Sequence, residues 1–524
     1  MKGSDKHIIR KLIIDLSMNG EKKAFAVQQE FGEVMRTQVN NSLDRLLTSI
    51  SGNGDHIRID KLDINLGDID LMHLREEVPE MIVSALNKKI RDQMQGGEYK
   101  AKNPPASEEE QGETFNIRPV QRLEHTEARV ELLIFYMIHG YYPWWGGDVS
   151  TQELGRELSD LLSGKWVGTD LALSKQQTWL ESITNNLSTY PQARERFVYQ
   201  FDDRLYRSFI AHLAPTQSQN ILDIERMFGK VLQYMLQNDA EVFISSGSRL
   251  EKIIRCQAIH ALLQGKKTSR KGIDFMKDFL ASMVGRVAGQ IHQLTRNELL
   301  EALINEESFD LKNEMPVARH QAIFRALEEI GTTNADTNLE EKIQSVHTEE
   351  DIQKHPKKED THFIENAGLV LVASFLPRLY WNLELLENYH FIDDHALRKA
   401  IHLSQFLVTG QQHPEERHLV LNKMLCGVSP DFPVFKDWEL TERDEDACHE
   451  LLMAVIMHWS ILKNTTPEGL RENFLQREGI LNWTESVWKL QIERKTRDVV
   501  LNYIPWTYQM VKLPWMSSIL NVEW

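Results

Sequence analysis

Histidine, cysteine and carboxylate side chains are where chemistry would first be sought, and nineteen histidines invite a metal site or a proton shuttle. Cys448-His449 and His458 fall in one run with helical periodicity, yet their spacing turns the two imidazoles to opposite faces. A zinc pair on a helix needs the i, i+4 step of HExxH, which brings both nitrogens to one side. A buried thiol with satisfied core histidines is the plainer reading there. His390, Asp394, His395 and His402 form a second group, in which His395 and His402 share a helix face. No nucleophile or third ligand falls in register with them, so they read as an exposed or capping cluster.

The other common signatures are missing too. There is no paired CxxC, EF-hand loop, GxGxxG, GxxxxGK[ST] or GxSxG elbow. Gln264-Gly265-Lys266-Lys267-Thr268 has a single glycine where a phosphate cradle uses several, and it reads as a basic helix terminus. The sequence therefore predicts no catalytic, cofactor-binding or metal-binding residue, and a protein that is not an enzyme.

The surrounding chain sets the class. It has 524 residues, too many for one ordinary core, with 41% apolar and 26% charged residues, as in folded globular proteins. A net charge of −17 argues against general affinity for nucleic acid or an anionic membrane. Cys256, Cys426 and Cys448 lack paired spacing and read as reduced thiols of a cytoplasmic protein. The longest apolar runs, 132–138, 367–376 and 451–457, fall short of the ~18 to 20 residues that cross a bilayer. Asp5 and Asp15 near the start argue against a secretory signal.

These features predict a mainly α, multi-domain protein with a small N-terminal α+β unit of order β-α-β-α. Residues 7–17 are isoleucine-rich and favour a strand. Residues 21–50 keep one face apolar through Val27, Phe31, Val34, Met35, Val39, Leu43 and Leu46, which predicts a long helix. Residues 57–66 alternate with a slip at Lys61, as in a bent strand, and a second helix follows with Pro79 suited to its first turn. The division is residues 1–96 as the α+β domain, 97–126 as an acidic linker, 127–330 as a helical middle region, 331–361 as a charged linker and 362–524 as a C-terminal helical domain. Within it, Glu127 to His139 reads as a helix capped by Gly140. Ala193 to Leu213, Ile221 to Gln237 and Phe275 to Leu294 read as further helices, as do Ala367 to Glu387 with a break or kink at Pro377, His395 to Val408, Glu415 to Leu425, Asp444 to Leu462 and Pro467 to Gln476. The run 490–501 is open between strand and helix.

Three Pro-Trp pairs punctuate this outline: Pro143-Trp144-Trp145, Pro505-Trp506 and Pro514-Trp515. Proline fixes the local path and tryptophan supplies a large apolar anchor, so Trp144, Trp145, Trp506 and Trp515 are candidates either to pin a core or to contact another protein.

Several blocks occur in a fixed order: His7-Ile-Ile-Arg10, Ala24-Phe-Ala-Val-Gln28, Ile59-Asp-Lys-Leu-Asp-Ile-Asn-Leu-Gly67, His139-Gly-Tyr-Tyr-Pro-Trp-Trp145 and Glu365-Asn-Ala-Gly-Leu-Val-Leu371 with Phe375-Leu-Pro377. Leu421-Asn-Lys-Met-Leu-Cys-Gly427, Gly469-Leu-Arg-Glu-Asn-Phe-Leu-Gln-Arg477 and Lys512-Leu-Pro-Trp-Met516 follow. Together they resemble the tape measure protein family of bacterial contractile injection systems, the phage-tail-like particles, over roughly residues 5–95, 127–147 and 361–524. The resemblance implies a non-enzymatic assembly protein that sets tube length or initiates tube assembly. It would contact tube and baseplate or spike proteins, could form a homo-oligomer in the tube lumen, and would sit in the cytoplasm during assembly and then inside the particle. A baseplate-associated adaptor or assembly chaperone is the alternative, and a helical enzyme or toxin a more distant one.

Overall fold

Helices dominate the chain, as the apolar periodicity predicts. The computed structural model describes residues 7, 9, 12–17, 21–50, 56–59, 61–69, 73–97, 120–123, 125–164, 173–235, 246–265, 273–290, 295–304, 316–333 and 361–524 except 437, 463, 485 and 486. They divide into two units, residues 1–132 with 144–147, and residues 133–143 with 148–524. Most of the expected linkers, 98–119 and 334–360, lies outside the described residues.

In the first unit α1 (Glu21–Val34) runs through a π-helical turn, Met35–Val39, into α2 (Asn40–Ile50). The predicted apolar face is the buried one: Phe31, Val34, Met35, Val39 and Leu43 close on Leu74, Val78 and Ile82 of α3 (Leu74–Gly97). Helix α3 starts earlier than Pro79 predicts. Glu76 and Glu77 N–H groups donate to the His73 carbonyl, which opens the helix there and leaves Pro79 inside it.

Among the described residues the β-α-β-α order is not formed. Among residues 7–17 the described ones adopt no regular structure, and Leu12 to Ser17 are all exposed. Isoleucine favours a strand only where a neighbouring strand accepts its backbone groups, and no described strand lies beside this one. Of the alternating run only β1 (His56–Ile59) is a strand; it pairs antiparallel with β2 (Val120–Leu123), beyond the expected domain end. Past Ile59 the chain turns at Gly67, whose N–H donates to the Asn65 side chain.

The second unit takes in the end of α4 (His125–His139), which Gly140 caps in the left-handed conformation as predicted. A helical bundle follows: α5 (Thr151–Ser163), α6 (Leu173–Thr189), α7 (Pro191–Gln200), α8 (Asp203–Leu213), α9 (Ser218–Met235), α10 (Ser246–Gly265), α11 (Ile273–Gln290), α12 (Arg296–Ile304) and α13 (Val317–Thr333). The single helix expected over Ala193 to Leu213 is two, because the Asp202 side chain accepts from Leu205 N–H and starts a new helix. Helix α7 is the bundle's buried centre: all residues from Ala193 to Gln200 are buried.

The C-terminal part packs short helices on a sheet that the expectation of helices alone omits. Strand β3 (Thr361–Ile364) leads into 3-10 turns over Ala367–Leu371 and Ala373–Phe375, and then α14 (Leu376–Asn382). The expected break thus falls at Pro377, which opens a new helix rather than kinking a continuous one. After the small hairpin β4 (Leu386–Glu387) and β5 (His390–Phe391) come α15 (Asp394–Thr409), α16 (Val420–Leu425), α17 (Glu442–His458) and α18 (Pro467–Leu470). Strands β6 (Gly479–Thr484), β7 (Val487–Ile492), β8 (Met510–Val511) and β9 (Leu520–Glu523) complete a five-stranded sheet of order β3-β6-β7-β9-β8. All its pairs are antiparallel except β7 with β9. Parallel neighbours need a long crossover, and the chain from the 3-10 helix Thr496–Tyr503 through both C-terminal Pro-Trp pairs is that crossover. The open run 490–501 is therefore strand to Ile492 and helix from Thr496.

Candidate functional site

The motif blocks of residues 365–377, 421–427 and 469–477 meet in the second unit around buried polar groups, so the site is built from these groups. Helix α7 carries Arg196, whose side chain is fully buried, as are those of Glu416 and Lys423. Arg196 Nε donates to Glu416 Oε1 at 3.0 Å, and Lys423 Nζ donates to the same oxygen at 2.7 Å. The guanidinium also donates to the carbonyls of Met137, Ile138 and Asp431, and Lys423 to that of Pro430. The C-terminal carbonyls of α4, left without helical partners, are thus satisfied by a cation from α7. Gly140 makes the approach possible. A Cβ there would stand 2.4 Å from Glu416 Oε1 and 2.6 Å from Arg196 Nε.

Electrostatics follow the burial. Burial pushes Lys423 down to about 8 against the pull of Glu416. Burial pushes the Asp431 carboxyl up, but His139, Arg196 and Lys423 outweigh it and hold the group below its ordinary value. Burial, reinforced by Glu416, raises Tyr136 well above the usual phenol range. A perturbed lysine beside a carboxylate can do acid–base work in a cleft. Here both side chains are fully buried and bound to backbone carbonyls or each other, which gives the group a positioning role.

A second network adjoins it through α16. Asn366 Nδ2 donates to Gln405 Oε1 at 2.8 Å and to Asn422 Oδ1 at 2.6 Å, and Asn422 Nδ2 donates to Ser404 Oγ at 2.8 Å. Asn366 belongs to the Glu365-Asn-Ala-Gly block, and Asn422 with Lys423 to Leu421-Asn-Lys. Gly368 of the first block lies against the π-helical turn Arg471–Leu475, where a Cβ would overlap the Phe474 carbonyl oxygen at 1.8 Å. At the end of that block Arg477 grips Asp498 with both nitrogens, at 2.8 and 2.7 Å, while Trp524 Nε1 donates to Asp498 at 2.9 Å. Burial pushes the Asp498 carboxyl up, but these bonds outweigh it and leave its pKa low.

Of the four tryptophans singled out in the sequence, two lie in this unit. Trp506 Nε1 donates to the Leu371 carbonyl and Trp515 Nε1 to the Leu425 carbonyl, each at 2.8 Å. Trp506 meets Phe375 edge-on at 5.0 Å; Trp515 packs on Phe391 and Tyr380 and against Gly427, whose φ is +82°. Trp144 and Trp145 are half-buried in the first unit, with the Arg58 guanidinium 3.4 Å from the Trp145 ring centre.

The histidine groups resolve differently from their plain readings. His449 and His458 are exposed rather than core, and only Cys448 is buried. His395 and His402 do share a face, with both rings on Trp438. His402 is buried, not exposed; its Nε2 lies 3.0 Å from the Phe435 carbonyl and burial depresses its pKa to about 4. Among the described residues no group of three or more His, Cys, Asp and Glu is arranged to hold a metal ion. No helix of the described residues is long and apolar enough to cross a membrane. The basic terminus expected at 264–268 lies outside the described residues beyond Gly265.

Sequence reasoning missed Arg196, Glu416 and Asp498. Each reads as a solvated charge, and the signal was indirect: Gly140 and Gly368 mark places where another segment approaches the backbone. Compared with known proteins, the chain matches a family model described as the contractile injection system tape measure protein over residues 6–524. No curated protein and no solved structure matches it.

Proposed function

We propose that this chain, which belongs to the contractile injection system tape measure protein family, sets the length of the particle's tube or initiates its assembly through contacts with tube and baseplate or spike proteins. The observation that carries this reading is the extent of the match, residues 6–524, which takes in both units. The geometry is compatible. Arg196, Glu416, Lys423, Asn366, Asn422, Arg477 and Asp498 hold segments together, as an assembly protein that must present fixed surfaces requires. Trp506 and Trp515 act in this reading as core pins, and Trp144 and Trp145 as pins of the first unit.

One observation favours a second reading, a baseplate-associated adaptor or assembly chaperone. Helices α9 to α13 pack as a bundle, with Phe228, Val231, Ile254, Leu280 and Leu327 buried, instead of lying extended. Deleting about 50 residues within Ile221 to Leu311 and measuring particles by electron microscopy separates the two. An extended helical ruler shortens tails by up to ~75 Å at about 1.5 Å per residue. Intact particles of unchanged length would support the adaptor and contradict the ruler.

A further inference from the structure

Helix α17 has a face that the protein leaves to solvent. Glu442, Asp446, His449, Glu450, Met453 and Met457 fall within an arc of about 100° and are all exposed. Met457 is 75% exposed and Met453 40%, and Ile461 of the following 3-10 turn is also exposed, at 47%. The stripe is therefore divided along its length, acidic toward the helix start and apolar toward its end. Its three carboxylates are in no ion pair with a described residue. The adjacent Arg443 is committed to Glu384 and the Asn382 carbonyl. The other side is fixed by Cys448, Leu451, Leu452 and Val455 in the core, so the exposed stripe cannot turn inward.

We infer that this stripe docks a helical segment of another protein, with two aliphatic residues a turn apart followed, one to two turns on, by arginine or lysine. Charge decides the occupant. A second copy in parallel would set carboxylates against carboxylates, and an antiparallel copy would bury Asp446 and Glu450 on Met457 and Met453 without a counter-charge. A basic partner lying antiparallel instead brings its C-terminal turns, where cations are favoured, onto the acidic end. Methionine is flexible and polarisable and suits an aliphatic partner. The inference rests on the assembly reading only in that the partner is sought among the co-assembled particle proteins.

The test places the photo-crosslinking residue p-benzoylphenylalanine at position 457 of the full chain, expressed together with the particle proteins, and sequences the crosslinked segment by mass spectrometry. The expected product joins Met457's position to an aliphatic-then-basic helical segment of a different protein. Asp446→Lys with Glu450→Lys, at unchanged thermal unfolding, should lower that yield by about tenfold. A crosslink to a second copy, to a segment without basic residues, or no crosslink in particles that contain the chain overturns the inference, as does a yield indifferent to the charge reversal. Particle length is read separately: loss of the crosslink with length control intact removes this surface and leaves the length-setting role standing.

Discussion

At the residue scale the account turns on groups that are polar and buried together. Gly140 is exacting on two counts, because it combines φ +76° with contact at Glu416 and Arg196. Gly140→Ala should destabilise the protein by at least ~2 kcal/mol in urea unfolding. Gly164, at φ +69° but with nothing closer to a new Cβ than Gln176 Nε2 at 3.8 Å, is the control and should cost less on alanine substitution. Glu225 gives a pH signature. Burial outweighs the bond from Tyr206 and the charge of Arg255, and raises its carboxyl from 4.5 to about 7. Between those values the unfolded chain releases the proton while the folded chain keeps it. The stabilising contribution is therefore complete at low pH and is lost as pH rises through the window, by up to ~1.4 kcal/mol per unit. Glu225→Gln should flatten that slope in melts taken from about pH 5 to 8; an unchanged slope would contradict the assignment. Little of this was legible in the sequence, since Arg-Glu-Arg in α7 looks like a solvated surface and only the neighbouring glycines hinted otherwise.

At the element scale the C-terminal strand is held by one clasp. Arg477 and Trp524 both bond Asp498, the Arg477 guanidinium lies 5.1 Å from the Trp524 ring centre, and β9 pairs with β7 just before it. Trp524→Phe keeps a ring over the cation and removes the donated hydrogen bond. It should cost roughly 1–2 kcal/mol and raise hydrogen exchange in β7 and β9 ahead of α15. Equal protection in both elements would show that the clasp does not hold the sheet. The long helices were legible because their apolar faces repeat over many turns: Phe31 to Leu46 reads directly as one buried stripe. The sheet was not. Strands β6 and β7 do alternate, with Leu481, Trp483, Trp488 and Leu490 inward, but each is short and their pairing with β3 and β9 is set by residues far away in the chain. The isoleucine-rich start failed for the converse reason, propensity without a partner strand.

At the scale of the whole molecule, the ordered blocks carried the family over roughly residues 5–95, 127–147 and 361–524, and the match over residues 6–524 also takes in the middle region that the blocks left out. In the second unit the blocks marked chain that must pack in one way, as Asn366, Asn422, Lys423 and Arg477 do in the buried networks around Glu416 and Asp498, while the surface that would touch partners left no comparable trace. In the reading proposed above, this chain fixes the length of a tube. The direct measurement is the length distribution of particles, by electron microscopy, from cells that make every particle protein except this one, with the chain restored in parallel. The account predicts that tubes without it are absent or scattered in length, and that restoring the chain returns one narrow length. Particles of normal number and uniform normal length in its absence would contradict it.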